Sequence, residues 1–320
     1  MKNTDRELLF LSPYLKEVLW GGTKLQKEYG YKSDSDHIGE AWVVSANPHG
    51  LSTVRNGRFA GQTLDQVYRE HPDWFRPDGE GDFSLLVKLI DAEQHLSVQV
   101  HPDDAYAYRV EHGCGKTECW YIVDCDEDAD IVIGHHAQSK EELRELVENG
   151  EWDNLLQIIP IHKGDFFFIP SGTVHAIRRG TRILETQQNC DITYRLYDYD
   201  RLQNGKPREL HLQKALDVIT CPQELPKSER CRISGTDSEC AEGVRLIQCP
   251  MFTVEHWSVK KQVTFSAEEQ YRIIDVLEGE GQIQDVPLHK GDHVLVPSGY
   301  GEVELKGTFE VISSYIGRTS

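Results

Sequence analysis

Short apolar runs follow one another along most of the chain after about residue 84. Examples are FSLLVKLIDA, HLSVQVHP, ECWYIVD, ADIVIG, GDFFFIPSG, TRILETQQ and DITYRLYDYD. These runs are rich in β-branched and aromatic residues, and Gly, Pro, Asp or Asn bounds each of them, which predicts strands rather than helices. Many short strands separated by turns are typical of a β-sandwich or barrel. We therefore expect a mainly β fold.

A few stretches depart from this strand pattern. GQTLDQVYREH, SKEELRELVENG and RELHLQKALDVIT have helical periodicity, and in the second of them Ser139 suits the N-cap and Gly150 the stop. Residues 221–242 are rich in Pro, Ser and charge without apolar periodicity, which indicates a connector. The strand pattern resumes beyond it. The sequence thus predicts an N-terminal domain over 1–220, a connector, and a C-terminal domain over 243–320.

The two predicted domains share a repeated motif. HKGDFFFIPSGTVHAI begins at His162, and HKGDHVLVPSGYGEVEL begins at His289. In the first copy, Gly164 is followed by five residues, Pro, one residue, Gly, two residues and His175. This spacing matches the second signature of the cupin barrels at every fixed position. The resemblance implies two cupin (jelly-roll) barrels with a few peripheral helices, each barrel wide enough for one small ligand or metal.

The second copy keeps its turns but not its histidine. Gly291, Pro297 and Gly299 maintain the pattern, whereas Glu302 stands where the first copy has His175. The fold geometry is therefore retained without the metal chemistry. We expect a degenerate C-terminal barrel that supports the first one or closes one side of its pocket.

The charge balance restricts the partners. There are 34 Lys and Arg against 53 Asp and Glu, a net charge of −19, which argues against nucleic acid or an anionic membrane as a partner. An anionic substrate would need a local cluster of basic groups. The start, MKNTDRELLF, has no long apolar segment, so we expect a cytoplasmic protein. The 8 cysteines include no C-x-x-C pair, and we expect reduced, mostly structural thiols.

A candidate metal site surrounds the cupin histidine. A lone His175 is more often a satisfied core residue than a ligand. Gln99 and His101, however, lie two apart on one predicted strand and so share a face, and GKTECWYIVD supplies Glu118. Two imidazoles, a carboxylate and an amide oxygen form a suitable shell for one zinc ion with a position left open. The alternative is that these are scattered polar residues on strands.

Four ordered segments carry a closer resemblance. VQVHPDDAYA, GKTECWYIV, GDFFFIPSGTVHAI and ILETQQNCDITYRLYDYDR, together with the N-terminal SPYLKEVLWGGTKL and GEAWVVS, resemble the type I mannose-6-phosphate isomerases in their short bacterial form. The resemblance implies a zinc-dependent enzyme that interconverts mannose 6-phosphate and fructose 6-phosphate. It places the metal ligands on Gln99, His101, Glu118 and His175. The chain lacks room for the separate helical domain of longer relatives.

The same resemblance places Arg195, Glu185 and Lys116 in the catalytic machinery. Moving a carbonyl from C1 to C2 requires removal of a proton beside the carbonyl and stabilisation of the resulting enediolate. Arg195 suits the second task because its charge persists at neutral pH. The base stays open between Glu185, Lys116 and a histidine, and Glu185 could instead pair structurally with an arginine.

A sugar phosphate also needs a receiving cluster of cations. Basic residues lie in or beside the motif strands, and a subset of them is expected to bind the dianion while the others are surface charges. These candidates are Lys88, Lys116, Arg178, Arg179, Arg182 and Arg201.

Two other functions are compatible with the fold. One is a non-haem iron or manganese oxygenase, although such cupin sites commonly carry three His and one Glu, so Gln99 counts against it. The other is a sugar-binding cupin without catalysis, which would need neither Arg195 nor Glu185. The oligomeric state stays open.

Overall fold

The computed structural model describes residues 5–75, 81–203, 205–225, 230–233 and 237–317. Their secondary structure is mainly β, which confirms the predicted fold class. The strands before the connector are β1 Leu9–Ser12, β2 Tyr14–Gly22, β3 Ile38–Val44, β4 Ala46–Asn47, β5 Gly50–Leu51, β6 Thr53–Val54, β7 Leu85–Ala92, β8 Val98–Val100, β9 Glu118–Cys125, β10 Asp130–His135, β11 Leu156–Pro160, β12 Phe166–Ile169, β13 His175–Ile177, β14 Thr181–Gln188, β15 Tyr194–Tyr197, β16 Leu202–Gln203 and β17 Lys206–Pro207.

The remaining strands lie in or after the predicted connector. They are β18 Cys231–Arg232, β19 Ala241–Gln248, β20 Phe252–Val259, β21 Gln262–Ala267, β22 Arg272–Ile283, β23 Val286–His289, β24 His293–Val296 and β25 Gly301–Ile316. The helices are α1 Lys24–Tyr29, α2 Leu64–Glu70, α3 Asp104–Glu111, α4 Lys140–Glu148, α5 Trp152–Leu155 and α6 Leu212–Val218, with 3-10 turns at Gly57–Phe59 and Pro72–Trp74.

Each predicted helical stretch contains a helix. In α4 the Ser139 hydroxyl accepts a hydrogen bond from the Glu142 amide at 3.2 Å, which caps the first turn as expected. Leu143 and Val147, one turn apart, are the buried residues of this helix, so it packs on the barrel through one apolar stripe. Gly150 follows in a left-handed conformation with φ of 69° and ends the helix. No helix in the described ranges is both long enough and apolar enough to cross a membrane.

Two antiparallel sheets form the first barrel. One has the strand order β12-β9-β14-β7-β3-β2, and the other has the order β11-β10-β13-β8-β15. Side chains from both sheets meet in one apolar cluster, to which Trp120 and Ile183 contribute from the first sheet and Ile131 and Ile177 from the second. The faces of the two sheets are therefore opposed across a shared interior, as in a jelly roll.

A single sheet forms the second barrel and recruits the start of the chain. Its order is β18-β19-β20-β25-β22-β24-β1-β6, and β21 and β23 pair with β25 and β22. The first strand, β1, pairs with β24 through Leu9 opposite Leu295. Phe10 consequently packs inside the second barrel with Val294 and Val303.

The repeated motif has the same backbone in both barrels. Gly164 and Gly172 have φ of 88° and 83°, and Gly291 and Gly299 have φ of 83° and 73°. These left-handed turns favour glycine, which explains why both copies retain it. Glu302 is exposed at the position that corresponds to the buried His175. The second copy thus keeps the turns, and an exposed glutamate replaces the buried histidine.

The division into 1–220, 221–242 and 243–320 stays a prediction. One hydrophobic cluster contains residues of both halves, among them Val43 and Leu89 from the first and Phe252 and Ile273 from the second. Residues 226–229 and 234–236 of the predicted connector lie outside the described residues. Within the connector, Cys231 pairs with Arg245 and so attaches β18 to the second sheet.

Candidate active site

The five-stranded sheet aligns three of the predicted site residues. His175 on β13 lies directly opposite Gln99 on β8, and Gln99 lies opposite Arg195 on β15. Residues that are directly opposed in an antiparallel pair project to the same face of the sheet. Residues far apart along the chain therefore form one row across the barrel.

The six-stranded sheet contributes a second row. Glu185 on β14 is opposite Trp120 on β9 and Lys88 on β7, and Lys88 is in turn opposite Trp42 on β3. The Trp120 indole donates a hydrogen bond to Glu185 Oε2 at 3.0 Å. Lys88 and Glu185, at 6% and 3% exposure, are an ammonium and a carboxylate inside the barrel, where each needs a partner.

His101, Glu118 and His175 converge between the two sheets. Their ligand atoms all lie within 4.8 Å of one another, and all three residues are buried. His101 Nε2 is 3.6 Å from Glu118 Oε2, and His175 Nε2 is 3.4 Å from Glu118 Oε1. Two imidazole nitrogens thus face one carboxylate across a space of the size that a metal ion occupies.

Backbone carbonyls fix the orientation of both imidazoles. His101 Nδ1 is 2.8 Å from the Ile192 carbonyl, and His175 Nδ1 is 2.9 Å from the Thr173 carbonyl. Each Nδ1 must donate its proton there, so each Nε2 directs a lone pair towards Glu118. Burial lowers the pKa of both histidines, which favours the neutral, ligating form.

The cluster has unsatisfied polar atoms that fit a metal. Within the described part of the chain, His101 Nε2 and Glu118 Oε1 have no hydrogen-bond partner. A buried polar atom without a partner costs about 1–3 kcal/mol, so such atoms are rare unless something binds them. Gln99 Nε2 lies 3.3 Å from His175 Nε2, and rotation of this amide would present its oxygen instead. The residues present therefore suit a divalent cation.

A cavity of about 370 Å³ opens beside this cluster. Gln99, Lys116, Glu185 and Arg195 all line it, as does Lys88. The volume lies in the range of small-molecule sites. Because Gln99 lines the cavity and its Nε2 lies 3.3 Å from His175 Nε2, a ligand in the cavity would lie next to the cluster.

Charges of alternating sign connect the cluster to the cavity wall. Lys116 Nζ lies 2.8 Å from Glu118 Oε2 and 3.9 Å from Glu185 Oε1. Lys88 Nζ lies 3.1 Å from Glu185 Oε1 and 3.9 Å from Glu40 Oε2. Each buried charge therefore has neighbours of opposite sign, which offset the cost of removing it from water.

This network shifts two pKa values. Burial alone would raise the pKa of Glu185, but Lys116 and then Lys88 outweigh it and lower that pKa to about 2. Burial alone would lower the pKa of Lys116, but Glu118 and Glu185 outweigh it and raise that pKa above the usual value for lysine. At neutral pH, Glu185 is therefore a carboxylate and Lys116 an ammonium.

Two arginines complete the cavity wall. Arg195 Nε donates to the Ser97 hydroxyl at 3.3 Å, and its Nη1 donates to the Glu209 carbonyl at 2.8 Å. Arg208 Nε donates to Asp198 Oδ2 at 2.7 Å. Both guanidinium groups are held by fixed acceptors, so their charges are preorganised at the cavity.

Comparison with known proteins identifies the family. Residues 8–148 match the model for the catalytic domain of phosphomannose isomerase type I, and residues 244–316 match the model for the cupin domain of mannose-6-phosphate isomerase. The mannose-6-phosphate isomerase ManA of Bacillus subtilis is 47% identical over 317 residues, which cover 97% of this chain and 99% of that protein. The chain belongs to the type I phosphomannose isomerase family.

Further relatives agree with this assignment. The mannose-6-phosphate isomerase of Streptococcus mutans is 43% identical, with 97% of this chain and 98% of that protein covered. A crystal structure of the mannose 6-phosphate isomerase from Bacillus subtilis superposes with a TM-score of 0.93 at 43% identity, covering 97% of this chain and 100% of that one. The predicted family is thereby confirmed, and this isomerase is an enzyme.

The structure brings all the predicted site residues of the isomerase together, while their roles stay predictions. Other residues line the cavity that the sequence patterns did not single out, among them Lys16, Glu40, Trp42 and Arg208. Lys16 and Glu40 lie directly opposite each other on β2 and β3. Their segments, SPYLKEVLWGG and GEAWVVS, already carry part of the family resemblance, and that signal could have found them.

The phosphate candidates divide into two groups. Lys88 and Lys116 line the cavity. The four arginines do not: Arg178 pairs with Asp130, Arg182 with Glu28 and Asp124, and Arg201 with Asp198, while Arg179 is exposed.

Two alternatives left open by the sequence are also decided. Among the described residues, the charged partners of Glu185 are Lys88 and Lys116 rather than an arginine. Within the described residues, the lining of the candidate cavity comes from residues 16–208, and the second barrel contributes no lining residue. The second barrel instead contributes residues to the hydrophobic cluster that it shares with the first barrel.

Proposed function

We propose that this isomerase interconverts mannose 6-phosphate and fructose 6-phosphate by proton transfer through an enediol, with one zinc ion bound at its active site. The observation that carries the proposal is the buried cluster of His101, Glu118 and His175 next to a cavity lined by ionised groups. The names of the relatives supply mannose 6-phosphate as the substrate, and moving its carbonyl from C1 to C2 gives fructose 6-phosphate.

The metal would be held by His101, Glu118, His175 and Gln99. Two neutral imidazoles, a carboxylate and an amide oxygen form a donor set that suits zinc. When bound, zinc would act as a Lewis acid that polarises a substrate oxygen. The unpaired Nε2 of His101 and Oε1 of Glu118 support this assignment, because a cation would satisfy both atoms.

The cavity cations would receive the phosphate. Lys16, Lys88 and Arg208 line the cavity and are separate from the proposed metal ligands. A dianion bound to a subset of these three would anchor the sugar, so that binding energy remote from the reaction positions its first two carbons.

Glu185 is the proposed proton carrier. As a carboxylate in the cavity wall it takes the C2 proton of the aldose and returns it to C1, and the reverse reaction uses the same group. Lys116 is a poorer candidate base because its raised pKa keeps it protonated. Lys116 and Arg195 instead donate hydrogen bonds to the enediolate oxygens, which compensates for the weak basicity of Glu185.

A coupled assay with mannose 6-phosphate tests the proposal. Activity should disappear after chelation and return with added zinc, and metal analysis should find about one zinc per chain. Full activity in metal-free protein would contradict the role of the metal. Glu185→Gln should lose both turnover and the incorporation of solvent deuterium at C2, whereas retained incorporation would assign the proton to another group.

Arg195→Ala separates catalysis from metal binding. Turnover should be lost while the zinc content changes little, because Arg195 is not among the proposed ligands. Arg178→Ala is the matched control, since Arg178 pairs with Asp130 and does not line the cavity. Equal turnover in the Arg195 variant and the control would remove the assignment of Arg195.

A further inference from the structure

Two cysteines meet at the edge of the active site. Cys114 is exposed in the loop between α3 and β9, and Cys190 is buried in the loop between β14 and β15. The Cys190 thiol donates to the Cys114 carbonyl at 2.9 Å. The Cys114 thiol lies 3.6 Å from the Asn189 carbonyl. Side chains 76 positions apart in sequence are thus already in contact.

We propose that Cys114 and Cys190 are a redox-sensitive dithiol, which low-molecular-weight disulfides oxidise reversibly to a disulfide that lowers isomerase activity. The part that concerns activity rests on the proposed function. The part that concerns the covalent bond rests on the contact alone. None of the other six cysteines takes part.

The difference in exposure sets the order of the reaction. The Cys114 thiolate attacks a small disulfide RSSR, forms a mixed disulfide and releases one RS⁻. The Cys190 thiolate then attacks the sulfur of Cys114 and releases the second RS⁻. Two cysteine thiols are oxidised, one RSSR is reduced to two RSH, and the two protons balance the two RS⁻. The contact with Cys190, and then burial, raise the pKa of Cys114, so only a small fraction of Cys114 is thiolate at neutral pH and the first step is the slow one.

Cys190 is connected to a proposed metal ligand through one residue. The Ile192 amide donates to Cys190 Sγ at 3.5 Å, and the Ile192 carbonyl accepts the hydrogen bond from His101 Nδ1 at 2.8 Å. A disulfide requires the two sulfurs to approach to about 2.05 Å and takes a specific dihedral angle, so Cys190 must move. Ile192 moves with it, and the carbonyl that orients His101 is displaced.

Cys114 is connected to the other side of the site. It lies two residues before Lys116 and four before Glu118, at the start of the segment that enters β9. The disulfide would therefore join the two loops that position His101 and Glu118. Disturbing the groups that orient metal ligands typically costs about 10–100-fold in metal affinity or activity.

The test is oxidation of the zinc-loaded enzyme with oxidised glutathione, followed by peptide mapping, metal analysis and the isomerase assay. We expect a cross-linked peptide that contains Cys114 and Cys190, about a tenfold or greater fall in kcat, and full recovery with dithiothreitol. Cys114→Ser should be active and should neither cross-link nor lose activity on oxidation. Cys231→Ser, which removes another exposed cysteine, is the matched control and should behave as the wild type.

Three outcomes would overturn the proposal. The absence of the 114–190 cross-link after oxidation would remove the dithiol. A cross-link without a change in kcat would remove the switch. An equal loss of activity in Cys114→Ser would assign inactivation to another thiol. Failure of the proposed function is distinguishable, because the reduced enzyme would then be inactive while the cross-link still formed.

Discussion

Replacement of Lys88 by methionine tests whether the buried ion network holds Glu185 in place. Methionine keeps most of the volume and removes the charge. Lys88 Nζ lies 3.1 Å from Glu185 Oε1, with side-chain exposures of 7% and 4%. Without it, the Glu185 carboxylate would keep the hydrogen bond from Trp120 and the more distant ammonium of Lys116, at 3.9 Å. We expect the variant to unfold more easily because a buried charge loses its nearest partner.

The geometry sets the size of this effect. At 3.1 Å and an effective dielectric constant of about 20, the Coulomb attraction is roughly 5 kcal/mol. Desolvation of both ions offsets part of it, and breaking such a pair typically costs about 3–5 kcal/mol. Lys88→Met should therefore lower the free energy of unfolding by about 3 kcal/mol or more. Adding Glu185→Gln should recover part of this loss, with a coupling energy of about 2 kcal/mol.

Urea unfolding at pH 7 with a chelator present measures the cycle without a contribution from metal binding. The matched control is Lys260→Met, because Lys260 pairs with Glu242 at 2.7 Å but is 49% exposed, and we expect a change below about 0.5 kcal/mol. Additive effects of the Lys88 and Glu185 substitutions would refute the reasoning.

Acid should weaken the same interaction. The folded-state pKa of Glu185, about 2, lies below the unfolded value of about 4.3, so its stabilisation is present above pH 4.3 and is lost as the pH falls towards 2. The stability difference between wild type and Lys88→Met should therefore shrink below pH 4.3. A difference that stays constant down to pH 3 would contradict the depressed pKa.

Three further predictions concern other parts of the molecule. Glu118→Gln should lower zinc affinity about tenfold or more by equilibrium dialysis, and unchanged affinity would exclude Glu118 as a ligand. Gly172→Ala should destabilise the folded protein by about 2 kcal/mol or more, because the added Cβ would lie 2.6 Å from Thr220 Oγ1. The control Gly61→Ala, which also has a positive φ but has open space around the Cβ, should cost about 1 kcal/mol. Equal costs for the two variants in thermal unfolding would exclude the clash. Tyr31→Phe should cost about 1–2 kcal/mol in urea unfolding, because it removes the 2.6 Å contact with His293 Nε2; no change would show that this contact does not stabilise the fold.

Local signals in the sequence were sufficient for the fold class and for most of the site. Turn residues around short β-branched runs predicted the strands, and the glycines of the repeat predicted turns that recur with φ near 80° in both barrels. The spacing within each motif also predicted which side chains share a face. Gln99 and His101 could therefore be grouped from the sequence, and the family resemblance added Glu118 and His175 to them.

The pairing of distant strands could not be read from local patterns. Glu40 and Lys16 enter the site because β2 and β3 lie at the edge of the same sheet as β14, and this register depends on long-range contacts. The arginines beside the motif show that a position close to the site in sequence need not place a side chain in the cavity. Arg182 is on β14, the strand that carries Glu185, but it pairs with Glu28 and Asp124 and does not line the cavity. Proximity along the chain did not determine which face each cation occupies.

The pairing of β1 with β24 has a consequence for biosynthesis. Leu9 leaves the ribosome long before its partner Leu295 is made. The N-terminal half therefore cannot complete its folding before β24 has been synthesised, because β1 lacks this partner strand until then. A nascent chain that stops short of β24 would leave β1 without its partner, so we expect such fragments to aggregate or to be removed by proteases.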